Sequence, residues 1–135
     1  MDYRKQAEEL YHILANKNNS KIPKLFDDGL RGIYPILRIL RDSGSEILPG
    51  DIARIMDIST ARVAVAIKTL EKKGYISRIP ASYDGRKIIL KITPSGLQAL
   101  SERETYIYEF TETFLRKVSI DEAQTFIETA RKIFS

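Results

Sequence analysis

The sequence predicts a mainly α-helical fold with one small β-hairpin, and three observations support this class. Apolar residues recur at helical spacing along most of the chain. Two β-branched runs, YISRI and RKIILKIT, flank the stretch PASYDG, whose Asp-Gly pair is a hairpin-turn signal. Serine, threonine and proline stand at the points where helices would begin. The chain has 135 residues, which fits a single domain over 1–135.

The first third of the chain predicts two helices separated by a polar break. Apolar residues spaced three and four apart indicate a helix over 2–16. The run NKNNSK interrupts this pattern, and helical periodicity resumes over 30–42. Pro35 lies inside the second run, so we expect it to bend that helix or delay its start. After a turn at 43–45, the β-branched residue in EIL at 46–48 favours a short strand.

The centre of the chain predicts two short helices joined by a tight turn. Pro49 suits the first turn of a helix that ends near Asp57, a residue type that tolerates left-handed backbone. Ser59 is a good N-cap for the next helix, which runs from Thr60 to about Lys73. Gly74 follows where a helix C-cap favours glycine. The arrangement is that of a helix-turn-helix, whose second helix enters the major groove of DNA.

The last third predicts two further helices. Thr93 and Pro94 combine an N-cap with a proline at the first helical position, and a long helix should run from there toward residue 117. The sequence from Ser119 to Glu122 fits a capping box for a final helix. Aromatic residues lie along the predicted terminal helices. A chain of this size buries them most readily in a dimer, and packing within the chain is the alternative. These residues are Tyr3, Phe110, Phe114, Phe126 and Phe134.

Positive charge is concentrated in one segment. The whole chain has 22 basic and 18 acidic residues, a net charge of +4. Residues 59–93 hold eight of the basic and two of the acidic residues, a net charge of +6, so the rest of the chain has a net charge of −2. Such focusing favours a surface that binds a polyanion. A solvated basic face is the alternative.

The helix after Ser59 has an outer face that suits a DNA groove. Val63, Ala66, Ile67 and Leu70 share one face and should lie in the core. The other side chains are short or basic, so the helix can enter deeply, and small apolar groups there can touch thymine methyl groups. Arg62 is the candidate for reading guanine. Arg86 and Lys87 flank the hairpin turn, where exposed basic tips reach a minor groove or a phosphate.

Residues 48–96, LPGDIARIMDISTARVAVAIKTLEKKGYISRIPASYDGRKIILKITPSG, resemble the winged helix-turn-helix of MarR-type (multiple antibiotic resistance regulator) transcription factors. The resemblance lies in the LEKKG that ends the second helix, in Arg78, in Asp84-Gly-Arg86, and in Ile92-Thr93 followed by Gly96. Two positions depart from the pattern. Gly85 stands where an arginine is common, and Ile92 replaces a leucine.

The resemblance implies a winged helix-turn-helix region over 30–93, flanked by dimerisation helices in 1–29 and 94–135. It implies a homodimer that binds double-stranded DNA at an inverted-repeat operator as a transcriptional regulator, with repression the expected effect. Arg86 would enter the minor groove with Asp84 orienting it. The DNA-contact residues expected from the composition and the resemblance together are Ser59, Thr60, Ala61, Arg62, Ala64, Val65, Lys68, Thr69, Asp84, Arg86 and Lys87.

Many of the resembling proteins release DNA when a small, often aromatic molecule binds between the dimer and DNA-binding regions. The resemblance therefore implies such an effector as a further partner. Aromatic residues at helical spacing are also typical of a core, and that alternative stays open. The candidate effector-binding residues are Tyr11, Phe26, Tyr34 and Tyr106.

Other classes of protein find little support in the sequence. The chain has no cysteine and one histidine, His12, so we expect no disulfide, no metal site and no cofactor. No nucleophile–base set or Gly-rich phosphate loop indicates an enzyme. No run approaches the roughly 20 apolar residues of a membrane span, and the charged start is not a secretory signal, so a cytoplasmic protein is expected. The remaining alternative is a winged-helix module whose basic face binds an acidic protein.

Overall fold

The computed structural model describes residues 3–16 and 32–135, and within these ranges it contains six helices and one two-stranded hairpin. The predicted fold class is confirmed. The elements are α1 (Arg4–Ala15), α2 (Tyr34–Asp42), α3 (Pro49–Met56), α4 (Thr60–Lys72), β1 (Ile76–Pro80), β2 (Ile88–Ile92), α5 (Pro94–Leu115) and α6 (Ile120–Phe134).

The chain divides into two compact units, Met1–Leu100 and Ser101–Ser135, and the boundary falls within α5. The first unit contains the hydrophobic core. Its fully buried side chains come from α2, α3, α4, the hairpin and the start of α5, so these elements enclose one apolar centre. The main members of this core are Ile36, Leu37, Ile52, Val63, Ile67, Leu70, Ile76, Leu90 and Leu100.

The helix predicted for 30–42 begins later than the periodicity indicates. Gly32 has a φ of 86°, which is left-handed backbone that a right-handed helix does not accommodate. Pro35 lies in the first turn of α2, where its missing N–H costs no hydrogen bond. The start at Tyr34 agrees with the delay expected from Pro35, while residues 30 and 31 of the predicted run lie outside the described residues.

The turn between α3 and α4 has the geometry that a helix-turn-helix needs. Asp57 ends α3 in the left-handed region, with a φ of 52° and a ψ of 51°. The backbone N–H of Ile58 donates to the carbonyl of Ala53 at 3.1 Å. The Ser59 hydroxyl then accepts a hydrogen bond from the backbone N–H of Arg62 at 3.2 Å, which confirms the predicted N-cap of α4.

The two strands pair antiparallel, with Ile76 opposite Ile92 and Pro80 opposite Ile88. The short strand predicted at 46–48 is reduced to a single bridge between Ile47 and Leu90, because only that residue pair meets before the chain enters α3. The predicted tight hairpin turn is a longer loop over 81–87. Its Asp-Gly pair instead begins a β-turn near the tip, in which the N–H of Lys87 donates to the carbonyl of Asp84 at 3.0 Å.

The junction between the hairpin and α5 is closely packed. The Thr93 hydroxyl accepts from the N–H of Gly96 at 3.0 Å, which confirms the predicted cap, and it donates to the carbonyl of Gly74 at 2.6 Å. Gly74 has a φ of 76°, as expected for a glycine that follows a helix. A Cβ atom at Gly96 would overlap the carbonyl oxygen of Tyr75, so glycine is required there.

The second unit contains the remainder of α5 and α6. In the capping box predicted for α6, the Ser119 hydroxyl accepts from the N–H of Glu122 at 3.1 Å. The Glu122 carboxylate in turn accepts from the N–H of Ser119 at 3.2 Å. Along α5, the rings of Phe110 and Phe114 meet edge to face, with their centroids 4.9 Å apart.

Candidate nucleic-acid interface

Helix α4 separates a buried face from an exposed one, as its sequence predicts. Val63, Ile67 and Leu70 are fully buried against the core, while Ala66 is half-buried. The opposite face lies open to solvent. Its exposed members are the predicted DNA-contact residues of this helix together with its N-cap, namely Ser59, Thr60, Ala61, Arg62, Ala64, Val65, Lys68 and Thr69.

The hydroxyl groups at the two ends of this set are bound to the helix backbone. The Ser59 hydroxyl caps the first turn, and the Thr69 hydroxyl donates to the carbonyl of Val65 at 3.1 Å. Since a threonine hydroxyl has one proton, that of Thr69 is not free to donate to a base. Thr69 can therefore offer a partner its methyl group and an acceptor oxygen, but no hydroxyl donor.

Arg62 lies beside the start of α2. It borders a depression of about 480 Å³ that also includes Pro35, Asp57 and Ala66. Arg62 also borders a second depression, of about 410 Å³, which is lined by Ile33, Ala61, Val65, Ala66 and Thr69. Arg62 is exposed, so it is accessible to a ligand from solvent.

The hairpin loop is tied to the body of the first unit. The carboxylate of Glu46, which lies between α2 and α3, accepts a hydrogen bond from the N–H of Ser82 at 3.0 Å. The N–H of Ala81 donates to the carbonyl of Lys87 at 2.8 Å and closes the base of the loop. Residues 81–87, called the wing here, are thus held at their base while their tip is exposed.

The tip of the wing presents an oriented arginine. The Asp84 carboxylate accepts hydrogen bonds from the backbone N–H of Arg86 at 3.0 Å and from its Nε and Nη2 atoms at 3.1 and 3.3 Å. The Arg86 side chain nevertheless remains 92% exposed. The side-chain hydrogen bond from Arg86, followed by the backbone hydrogen bond, lowers the pKa of Asp84 below its usual 3.8. Asp84 therefore orients the Arg86 side chain, which remains accessible to solvent.

Two contacts near the wing were not predicted from the sequence. The Lys87 ammonium group lies over the Tyr83 ring, 5.7 Å from its centroid, in a cation–π contact. Arg78 forms an ion pair with Glu71 at 2.6 Å, which ties β1 to the end of α4. A tyrosine four positions before a lysine was the available signal for the first contact. The second joins residues on different elements, and no local pattern indicates it.

The candidate effector residues have different environments. Tyr34 is half-buried against the core. Tyr11 is exposed, with its ring edge to face with His12 at 5.5 Å, and Tyr106 is exposed and stacked on Phe110 at 6.5 Å. Phe26 lies outside the described residues. The two depressions beside Arg62 include none of these tyrosines in their linings.

Over 3–16 and 32–135, no three His, Cys, Asp or Glu side chains converge in a way that could hold a metal ion. No helix within the same ranges is both long enough and apolar enough to cross a membrane.

The fold and the exposed basic surface define a winged helix-turn-helix protein of the DNA-binding class. Residues 34–87 match the model of the MarR family. The match covers the helix-turn-helix and most of the hairpin, the region whose motifs predicted the resemblance. Members of the family are regulators and not enzymes.

Comparison with known proteins supports the same class. The chain is 26% identical over 103 residues to a putative transcriptional regulatory protein for the hcr operon of Thauera aromatica, a match that spans 76% of this chain and 61% of that protein. It is 32% identical over 82 residues to the HTH-type transcriptional regulator YwaE of Bacillus subtilis, spanning 61% and 48% of the two chains. The chain thus spans less than two thirds of the length of either relative. The crystal structure of YusO from B. subtilis shares the fold with a TM-score of 0.74 at 19% identity, over 94% of this chain and 96% of that one.

Proposed function

We propose that the protein is a homodimeric, sequence-specific repressor that binds an inverted-repeat operator through α4 and the wing. The observation that carries the proposal is the coincidence of charge and exposure in the first unit. The segment 59–93 has a net charge of +6, and the cations Arg62, Lys68, Arg86 and Lys87 within it are all exposed. A surface of this kind attracts the phosphates of a duplex.

The two parts of the surface match the two grooves. Helix α4 offers short side chains along its exposed face, so its backbone can come close to base edges in the major groove. The wing offers Arg86, which Asp84 orients and leaves exposed, and an arginine so placed fits the negative potential of a narrow minor groove. Lys87 contributes a second positive charge at the wing tip, supported by the Tyr83 ring.

The dimer is supported by exposed apolar residues on α1 and on α6. No residue of α1 is buried, although five large apolar side chains on or beside it are exposed. Helix α6 likewise exposes large apolar side chains, of which Ile120 is 88% and Phe134 is 85% exposed. Packing against a second copy would remove this surface from water. A twofold dimer that places its recognition helices about 34 Å apart would read two inverted half-sites one helical turn apart.

The proposal includes control by a small aromatic effector. Tyr11, Tyr34 and Tyr106, with Phe26 beyond the described residues, remain the candidate contacts. An aromatic ligand that binds the DNA-free form more tightly than the DNA-bound form would lower the affinity for the operator by the ratio of those two ligand affinities. Titration of aromatic and phenolic acids against the preformed DNA complex tests this part independently of the DNA-binding residues.

The DNA-binding proposal is tested by selecting bound fragments from genomic DNA at a defined salt concentration and measuring affinity for the resulting operator. Arg62→Ala and Arg86→Ala should each weaken binding roughly five- to 150-fold, which corresponds to about 1–3 kcal/mol per contact, while the dimer remains intact. Arg116→Ala removes an equal charge from the second unit, where Arg116 pairs with Glu112, and should leave binding unchanged.

Unchanged DNA affinity in both interface variants would instead favour the protein-interaction module. The sign of regulation follows from a reporter gene placed behind the selected operator. Repression requires higher expression when the regulator gene is deleted and lower expression when it is restored.

A further inference from the structure

We propose that the exposed face of α4 reads the 5-methyl groups of thymine, so that A·T pairs occupy the operator positions facing Ala61, Val65 and Thr69. This inference rests on the proposed DNA-binding function and names the feature of the bases that the helix selects. Its basis is the chemistry of the side chains at the centre of the exposed face.

The centre of that face is apolar. Ala61 and Val65 lie one turn apart, and Thr69 one turn further on, so the three form a single row opposite the buried Val63 and Ile67. Val65 is 67% exposed, which is a large exposure for a valine in a well-packed helix. The fold gains little from a branched apolar side chain in water at this point, whereas a partner carrying methyl groups would gain contact area.

The hydrogen bond made by Thr69 strengthens the apolar character of the row. Its hydroxyl donates to the Val65 carbonyl at 3.1 Å, so Thr69 offers a partner its methyl group and an acceptor oxygen but no hydroxyl donor. Ala61, Val65 and Thr69 also line one continuous depression of about 410 Å³. A methyl group that projects from a base edge therefore meets the methyl groups of three side chains, beside Arg62, and no hydroxyl donor from Thr69.

The charges around the row identify the occupant as DNA. Arg62 and Lys68 flank it and are exposed, as is Lys72 in the last turn of α4. An apolar row bordered by cations fits a polyanion that displays methyl groups, and thymine in the major groove displays one at each T·A pair. RNA does not fit, because uracil lacks this methyl group and the major groove of an RNA helix is too narrow for side chains to read.

The test uses the operator obtained by selection, with each thymine of a half-site replaced in turn by 2′-deoxyuridine. This change removes one methyl group and preserves base pairing and charge. We expect one or two positions per half-site at which the affinity of the wild-type protein falls roughly three- to fivefold, the value of one buried methyl group. Val65→Ala should weaken binding to the thymine operator and should shrink the difference between thymine and deoxyuridine at the same positions.

Val118→Ala is the matched control, because it removes the same atoms from an exposed valine outside the DNA-binding unit. It should leave the thymine-to-deoxyuridine ratio as in the wild type. Equal affinity for thymine and deoxyuridine operators at every half-site position would overturn the inference and leave the proposed function standing. An unchanged ratio in Val65→Ala would overturn the assignment to α4. A failure to select any duplex would instead count against the DNA-binding function itself.

Discussion

Glu46 holds the wing from outside the hairpin, because its carboxylate accepts a hydrogen bond from the backbone N–H of Ser82 at 3.0 Å. The two residues are 36 positions apart in the chain. Ile47, the next residue, bridges to Leu90 in β2. The segment between α2 and α3 therefore contacts the hairpin at two points, Ser82 at the base of the wing and Leu90 in β2, and we expect the position of Arg86 to depend on these contacts.

Replacing Glu46 with alanine should weaken operator binding by roughly fivefold, the value of one hydrogen bond of about 1 kcal/mol, with little change in thermal stability. Glu46→Gln keeps an acceptor oxygen and should bind DNA more tightly than Glu46→Ala. Fluorescence anisotropy gives the affinities, and the amide NMR shift of Ser82 reports the hydrogen bond. Equal affinity in the wild type and Glu46→Ala would show that the wing keeps its position without this contact.

The Asp84–Arg86 contact predicts how the wing responds to pH. The pKa of Asp84 is lowered from 3.8 first by the side-chain hydrogen bond from Arg86. A lowered pKa means that the contact is present above 3.8 and is lost as the pH falls through the lower folded value. Over roughly pH 5 to 8 the wing contact should therefore be constant. Carbon-13 NMR of the Asp84 carboxyl group should give a midpoint below 3.8, and Arg86→Ala should raise it. A wild-type midpoint at or above 3.8 would contradict the contact.

Close packing at the start of α5 predicts a large effect from a small substitution. A Cβ at Gly96 would overlap the Tyr75 carbonyl oxygen, so Gly96→Ala should lower the free energy of unfolding by about 1–3 kcal/mol or more. Gly50→Ala is the control, because Gly50 lies in α3 with no atom near a Cβ, and alanine favours helix. Urea unfolding should show a lower midpoint for the first variant and an equal or higher one for the second. Equal midpoints would show that the junction relaxes at no cost.

Local chemistry explains which parts of the fold the sequence predicted well. The caps at Ser59, Thr93 and Ser119 and the glycine at 74 satisfy backbone groups within a few residues, so their signals are short-range. The burial of Val63, Ile67 and Leu70 follows from helical periodicity alone. These features do not depend on what the rest of the chain does.

Contacts between distant segments could not be predicted in this way. The Glu46–Ser82 hydrogen bond, the Glu71–Arg78 ion pair and the close approach of Gly96 to Tyr75 each join separate elements. The wing loop illustrates the same limit. Its Asp-Gly pair was expected to close a tight hairpin, but the loop has seven residues, in which Ala81 is buried and Ser82 is hydrogen-bonded to Glu46. The exposed cations of the interface were predictable, whereas the contacts that orient the wing were not.

Substitutions at Ser59, the N-cap of α4, should change the free energy of unfolding and the affinity for DNA independently. Ser59→Ala removes the hydrogen bond from the N–H of Arg62 and should cost about 1 kcal/mol of unfolding free energy. Ser59→Asp keeps a capping oxygen and adds a negative charge that favours the helix N-terminus, so stability should be retained. The same negative charge would face DNA phosphates, and operator affinity should fall at least tenfold, most strongly at low salt.

Ser119 provides the control, since its hydroxyl also accepts a hydrogen bond from the N–H three residues on, at the start of α6 in the second unit. Ser119→Ala should lose a similar stability, and Ser119→Asp should retain it, but neither should change the affinity of the dimer for its operator. Urea unfolding and fluorescence anisotropy on all four variants give the two quantities. If Ser59→Asp bound the operator as tightly as the wild type while remaining folded, the N-terminus of α4 would not face DNA, and the placement of this helix in the major groove would be wrong.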